Sequence, residues 1–181
     1  MRYVEVRRHS KRHEGKGLSP EGRALAEKAR TTLASHYDLL ISSPKERAVE
    51  TLQAFGFSRC QTDAAFTAIN PWEPNDAEVQ SLAQQKRCIP LEACFLIPEV
   101  REHLRLEGEK LLEAVRRVAC CLPEGGRALI VSHGGMLEPA ALLGCKRFDL
   151  KEIGGEIGFC EGAEFQFEGE RLAGVRIIRM T

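Results

Sequence analysis

The stretch "RALIVSHGGMLEPAALLG", residues 127–144, constrains this chain more than any other. Its apolar run 128–131 reads as a strand, the Ser-His-Gly-Gly segment as the turn that ends it, and the remainder as a helix stopping near Gly144. A second short apolar run, "DLLIS" at 38–42, reads as a buried parallel strand. It too runs straight into a helical pattern, "SPKERAVETLQAF", where Ser43 and Glu46 have capping-box spacing and Pro44 stands at the first helical position. Arg47 then falls about one turn into that helix.

The opening "RYVEV" alternates in polarity and predicts a first strand, which ends where the basic cluster "VRRHSKRH" (6–13) begins. After the loop "HEGKG", the segment "LSPEGRALAEKARTTLA" predicts a helix. Ser19 can cap it, Pro20 suits its first turn, and Leu25, Ala29 and Leu33 share one face. From Cys60 to Pro74 the pattern is irregular, and Pro71, Trp72 and Pro74 mark a loop or lid. Helices are expected over "NDAEVQSLAQQK" from Asn75 and within "PEVREHLRLEGEKLLEAVRRVACCL", chiefly in its second half. The tail holds two alternating runs, "AEFQF" and "RLAGVRIIRM", on either side of "EGE", the pattern of a hairpin.

Strands alternating with helices predict an α/β fold: a mainly parallel central sheet flanked by helices on both faces, with an antiparallel edge. With no repeat, low-complexity tract or linker, residues 1–181 are expected to form one domain.

Charge narrows the partners. The 26 Lys and Arg residues balance 26 Asp and Glu, so no global field draws the chain to nucleic acid or an anionic membrane. Residues 1–30 nevertheless hold nine basic side chains, Arg2, Arg7, Arg8, Lys11, Arg12, Lys16, Arg23, Lys28 and Arg30, against Glu5, Glu14, Glu21 and Glu27, which favours an anion locally. A nucleic-acid module would interleave aromatics for stacking, yet the first 30 residues contain only Tyr3. Seven cysteines without a C-x-x-C pair, after an N-terminus carrying Arg2 and Glu5, argue against a disulfide framework and for a reducing cytoplasm. Cys88, Cys94, Cys120, Cys121, Cys145 and Cys160 are expected as apolar filler, and no apolar stretch nears the roughly 18 residues of a membrane span. His9 and His13 have the spacing of a helical zinc pair, but the loop between them is a poor helix and no third ligand is near, so no metal is expected.

Three junctions carry chemistry: Arg8 and His9 after the first strand, Arg47 after the second, and His133 after "ALIV". Ligands of open parallel sheets bind beyond the carboxyl ends of the strands, where these junctions would converge. Two guanidiniums and two imidazoles around one point suit a phosphate, whose oxygens accept paired charge-assisted bonds. One imidazole held neutral could attack phosphorus and carry the phosphoryl group, while the other, cationic, steadies the oxygens.

At these positions the chain resembles the histidine phosphatase superfamily, also called phosphoglycerate mutase-like. The family's Arg-His-Gly opening is similar to Arg8, His9 and Ser10; its "LSxxGxxQA" to "LSPEGRALA"; its "SSPxxRAxxTA" to "SSPKERAVETL"; and its later "SHG" to "SHGG". The resemblance implies His9 as a nucleophile forming phosphohistidine, with Arg8, Arg47 and His133 making the phosphate pocket and no cofactor. It implies a phosphatase acting on a small phosphorylated substrate or a phosphoprotein, phosphohistidine included. Two departures stand out. Ser10 replaces the glycine, which would strain a backbone of positive φ. Ala68 occupies the slot where many members carry a glutamate proton donor, leaving Asp63, Glu73 and Asp76 as substitutes. These departures keep open a degenerate member that binds a phosphorylated ligand or protein with little turnover; a mutase-type phosphotransferase is a second enzymatic alternative, for which a chain this short leaves little room for an enclosing insertion.

Overall fold

The computed structural model of the chain describes residues 1–14, 17–67 and 75–180. A six-stranded mixed sheet organises it. Four strands are parallel: β1 (Arg2–Arg8), β2 (Leu39–Ser42), β3 (Gln61–Thr62) and β4 (Arg127–Ser132). The remaining two, β5 (Gly162–Glu168) and β6 (Arg171–Ile178), form the expected hairpin, and β5 pairs antiparallel with β1. Across the sheet the order is β3-β2-β4-β1-β5-β6, so β4 and β1 are central although they come from opposite ends of the sequence.

The apolar run in β4 is explained by what lies on its two faces. Ala128 and Ile130 join Val4 and Val6 under one layer of helices, whereas Leu129 and Val131 join Leu40 under another. The first layer contains α3 (Asp76–Lys86), α4 (Pro90–Leu96), α5 (Pro98–Cys121) and α6 (Leu137–Cys145); the second contains α1 (Pro20–Ala29) and α2 (Glu46–Ala54). Each fully buried Leu or Ile on β4 is worth about 1.5–3 kcal/mol relative to exposure. No helix among the described residues is long and apolar enough to cross a membrane.

Local expectations fare unevenly. Ser19 caps α1 by accepting from the Gly22 N–H at 3.0 Å. In α5 the helix runs all 24 residues rather than mainly the second half, because Val100, Leu104, Leu111, Val115 and Val118 keep one face buried throughout. Its Gly108 lies at the crossing with α6, where a Cβ would stand 2.8 Å from the backbone of Pro139. The two-residue β3 falls inside the region read as irregular, and α4 forms between the helices expected from Asn75 and from Pro98. Pro71, Trp72 and Pro74 lie outside the described residues.

Two further readings are corrected. Helix α2 starts at Glu46 with Lys45 as its cap residue and no side-chain cap, so Ser43 and Glu46 do not form a capping box. The Ser43 hydroxyl is engaged elsewhere, as the site shows. Arg7, counted with the basic cluster, is fully buried on the α1–α2 side, where its Nε donates to Glu5 at 2.5 Å.

Candidate active site

Because β1, β2 and β4 are parallel, their carboxyl ends arrive at one edge of the sheet. Arg8 is in register with Ser132, and Ser42 with Val131. The ladder continues one residue further, with the His9 N–H donating to the Ser132 carbonyl and the Ser43 N–H to the Val131 carbonyl, both at 2.9 Å. His9, Ser43 and His133 are thereby set side by side. Helix α2 begins just beyond β2 and brings Arg47 over them.

Arg47 links the two imidazoles. Its Nε donates to His9 Nε2 at 3.0 Å, and its Nη2 to His133 Nδ1 at 3.1 Å. The two rings lie 5.0 Å apart between centroids at 64°. Their tautomers follow from their partners, since a guanidinium can only donate and a carbonyl can only accept. On His9 the proton is on Nδ1, which donates to the Ser10 carbonyl at 2.7 Å, and Nε2 presents its lone pair to Arg47. On His133 the proton is on Nε2, which donates to Ser43 Oγ at 2.8 Å. Ser43 Oγ also lies 3.1 Å from the Thr67 hydroxyl. Arg47 is steadied from behind, where Thr51 Oγ1 donates to its carbonyl and accepts the Ser10 N–H.

Burial and cationic neighbours keep both rings neutral. Desolvation, reinforced by Arg47, Arg8 and Arg12 and opposed by the Ser10 carbonyl, pushes His9 down to about 4. Desolvation, then His9, Arg47, Lys45 and Arg8, push His133 down to about 3. In this structure both imidazoles are neutral, and the positive charge of the site comes from the guanidiniums. Burial, then Arg12, lower Arg47 as well.

Arg8 completes the group from the far side. Its Nη1 donates to Glu156 Oε1 at 2.6 Å and to the Ile157 carbonyl at 2.7 Å, and the Phe159 ring lies 4.6 Å from its guanidinium carbon. Arg8 Nε is buried with no hydrogen-bond partner. A buried cationic N–H left unsatisfied is costly unless an anionic ligand completes it. Gly134 makes this approach feasible, since a Cβ there would stand 2.8 Å from Arg8 Nε.

The strain expected at Ser10 is absent. Ser10 is not among the residues of positive φ, and its buried hydroxyl donates to the Gly22 carbonyl at 2.6 Å. Glu138, fully buried in the first turn of α6, accepts from the Gly135 and Ile157 N–H groups, and burial raises its pKa. It ties the turn after His133 to the segment holding Arg8 rather than orienting His133. Of the substitute acids, Asp63 accepts from the Ala65 N–H in the 3-10 turn Ala64–Phe66, and Asp76 lies in the first turn of α3, 3.4 Å from Gln80; neither bonds to the four site residues. Ala68 and Glu73 lie outside the described residues. Among the described residues, no three His, Cys, Asp or Glu side chains form a metal-holding group.

Sequence reasoning missed Ser43, Thr67, Glu156 and Phe159. Ser43 carried a signal that was assigned to helix capping. Glu156 and Phe159 carried none, since nothing in the local pattern shows that "GGEIGFC" turns back onto Arg8.

Residues 4–153 match the model of the histidine phosphatase superfamily (branch 1). The chain belongs to that superfamily. Among solved structures, phosphoglycerate mutase from Bacillus anthracis str. Sterne is similar with a TM-score of 0.67 at 15% identity, over 98% of this chain and 92% of that one. Phosphoserine phosphatase from Entamoeba histolytica, in complex with 3-phosphoglyceric acid, has a TM-score of 0.66 at 16% identity, covering 99% and 98%. Mycobacterial glucosyl-3-phosphoglycerate phosphatase has 0.63 at 19% identity, covering 98% and 97%. At these identities the likeness is one of fold. No curated protein sequence matches the chain.

Proposed function

We propose that the protein is a cofactor-independent phosphatase that hydrolyses phosphate monoesters or phosphohistidine through a covalent intermediate on His9. The observation that carries this reading is the pair of Arg47 bonds, at 3.0 and 3.1 Å, to two neutral imidazoles. His9 has its Nδ1 proton committed to a carbonyl, so Nε2 keeps a lone pair for attack at neutral pH. As phosphate enters, an oxygen takes over the Arg47 Nε–H that now rests on His9. The unsatisfied Arg8 Nε–H supplies another donor.

In the first step His9 Nε2 forms the N–P bond as the bond to the leaving oxygen or nitrogen breaks. Water then attacks phosphorus and the N–P bond breaks, giving inorganic phosphate and neutral His9. Arg8 and Arg47 offset charge on the equatorial oxygens in both steps, and the His133 ring packs beside them. With alanine in the usual acid slot, leaving groups that depart without protonation are favoured, because a general acid is worth roughly 10²- to 10⁴-fold for an alkoxide.

The solved neighbours named for phosphoglycerate, phosphoserine and glucosyl-3-phosphoglycerate support a small phosphorylated substrate. A binding-only role loses one of its grounds, because Ser10 is accommodated without strain. Incubation with p-nitrophenyl phosphate and acid quenching at intervals tests the reading: phosphate should appear on His9 by mass, and His9→Ala should abolish turnover. Tight phosphate binding with no turnover on any ester or phosphohistidine peptide would overturn it in favour of the binder.

A further inference from the structure

One loop grips Arg8 in three ways. Glu156 Oε1 and the Ile157 carbonyl share its Nη1, and Phe159 stacks against the guanidinium. The loop is itself anchored. Arg179 donates to the carbonyls of Ile153, Gly155 and Glu156 and pairs with Glu161 at 2.7 Å. Gly154 and Gly155 supply the left-handed backbone, at φ +82° and +86°, that turns the chain back towards the site. Glu156 is thus delivered to Arg8 by a stapled backbone, and the pair lies at the rim, with side chains 19% and 39% exposed for Arg8 and Glu156.

Resting on the phosphatase reading, we propose that Glu156 competes with phosphate for Arg8, and so keeps the inorganic phosphate product and other dianions weakly held. A carboxylate and a phosphate oxygen are equivalent acceptors for a guanidinium, so Glu156 on Nη1 and a phosphate oxygen on Nε draw on the same positive charge. The carboxylate also cancels one unit of positive charge where the dianion must settle. In the charge balance around the two rings, Arg47 and Arg8 are the guanidiniums in contact or backing them, Arg12 and Lys45 act at longer range, and Glu156 is the carboxylate bonded to one of them. Weak binding of substrate and product alike leaves the barrier from bound substrate unchanged, and it speeds departure of phosphate.

Inhibition of p-nitrophenyl phosphate hydrolysis by inorganic phosphate and by orthovanadate tests the proposal, in the wild type, Glu156→Gln, Arg8→Gln and the double variant. Glu156→Gln should lower both inhibition constants and KM by roughly two- to fivefold, the scale of one partly exposed ion pair, without raising kcat. In the Arg8→Gln background the same change should do nothing. Unchanged or larger inhibition constants in Glu156→Gln would overturn the proposal and make Glu156 a positioning residue for Arg8, as would an equal effect in the Arg8→Gln background. Should Glu156→Gln not fold, Glu156→Asp, which draws the carboxylate back by one methylene, must move the constants in the same direction. A wild-type protein that neither turns over ester nor binds orthovanadate by calorimetry overturns the phosphatase reading and this inference with it.

Discussion

Arg7 and Arg8 are neighbours on one strand and lead opposite lives. Strand alternation sends Arg7 under α1 and α2, where Nε donates to Glu5 at 2.5 Å, Nη1 to the Cys160 carbonyl and Nη2 to the Thr32 carbonyl, each at 3.0 Å. Glu5 completes its own shell with the Tyr37 hydroxyl at 2.8 Å. Every nitrogen of that guanidinium is therefore satisfied by the fold. Arg8 faces the other way, with one nitrogen bonded to the rim and a buried Nε that the fold leaves unsatisfied. The difference teaches that a basic cluster in sequence is two things in space: a charge the protein has neutralised for its own architecture, and a charge it holds ready for an anion.

The sharpest way to break this contrast is to delete each guanidinium in turn. Arg7→Met should destabilise the fold by about 3–5 kcal/mol, because Glu5 is left as an unpaired buried charge. Arg8→Met should cost about 1 kcal/mol or less, since it loses a rim ion pair and a ring contact. Its effect should fall on phosphate affinity instead. Urea unfolding of both variants, read beside phosphate binding, checks this. Equal stability losses would erase the distinction.

Acid titration separates the same two regions by a smaller margin. His9 and His133 are neutral in the folded protein down to about 4 and 3, whereas an unfolded histidine titrates near 6.5. Between those values the unfolded chain binds protons that the folded chain refuses, so stability falls as the pH drops below about 6.5 and is unaffected by these rings above it. Each ring should contribute a loss of about 2 kcal/mol between pH 7 and pH 5. Urea midpoints at the two pH values measure it, and His9→Asn or His133→Asn should remove part of the slope. A flat profile in the wild type would show that the rings are not desolvated in this way.

Much of this arrangement was legible in the sequence because it depends on local signals. The apolar runs at 38–42 and 128–131 mark strands buried on both faces, and the ends of parallel strands gather at one edge, so Arg8, His9, Arg47 and His133 could be grouped before any coordinates. The α/β class, the hairpin of β5 and β6, and the superfamily followed from the same patterns. What was illegible depends on long-range closure. Nothing near Arg8 in sequence announces that Glu156, 148 positions away, will pair with it. The neutrality of both imidazoles reflects desolvation by the whole assembly, which no motif encodes. The continuity of α5 through Gly108 was hidden because a glycine in a charged helix reads as a weak point. Here it is the close approach to Pro139 that requires it.

Ser43 offers the finest cut between an architectural polar group and a functional one, since its sequence context points to the first and its bonds to the second. If its hydroxyl served α2 as a cap, Ser43→Ala would cost about 1 kcal/mol of stability and leave catalysis alone. Its contacts say otherwise. Oγ accepts the His133 Nε2 proton at 2.8 Å, while the Lys45 N–H approaches at only 3.3 Å. Accepting at Nε2 selects the tautomer whose Nδ1 lone pair meets Arg47, so the hydroxyl acts on the site through His133. Ser43→Ala should therefore lower kcat/KM about tenfold, the value of one hydrogen bond of roughly 1–1.5 kcal/mol. KM for p-nitrophenyl phosphate should change less than kcat, and the urea midpoint should fall by no more than the cost of the buried His133 N–H left unpaired, about 1–3 kcal/mol. A variant that unfolds earlier but turns over normally would return Ser43 to the role its sequence first suggested.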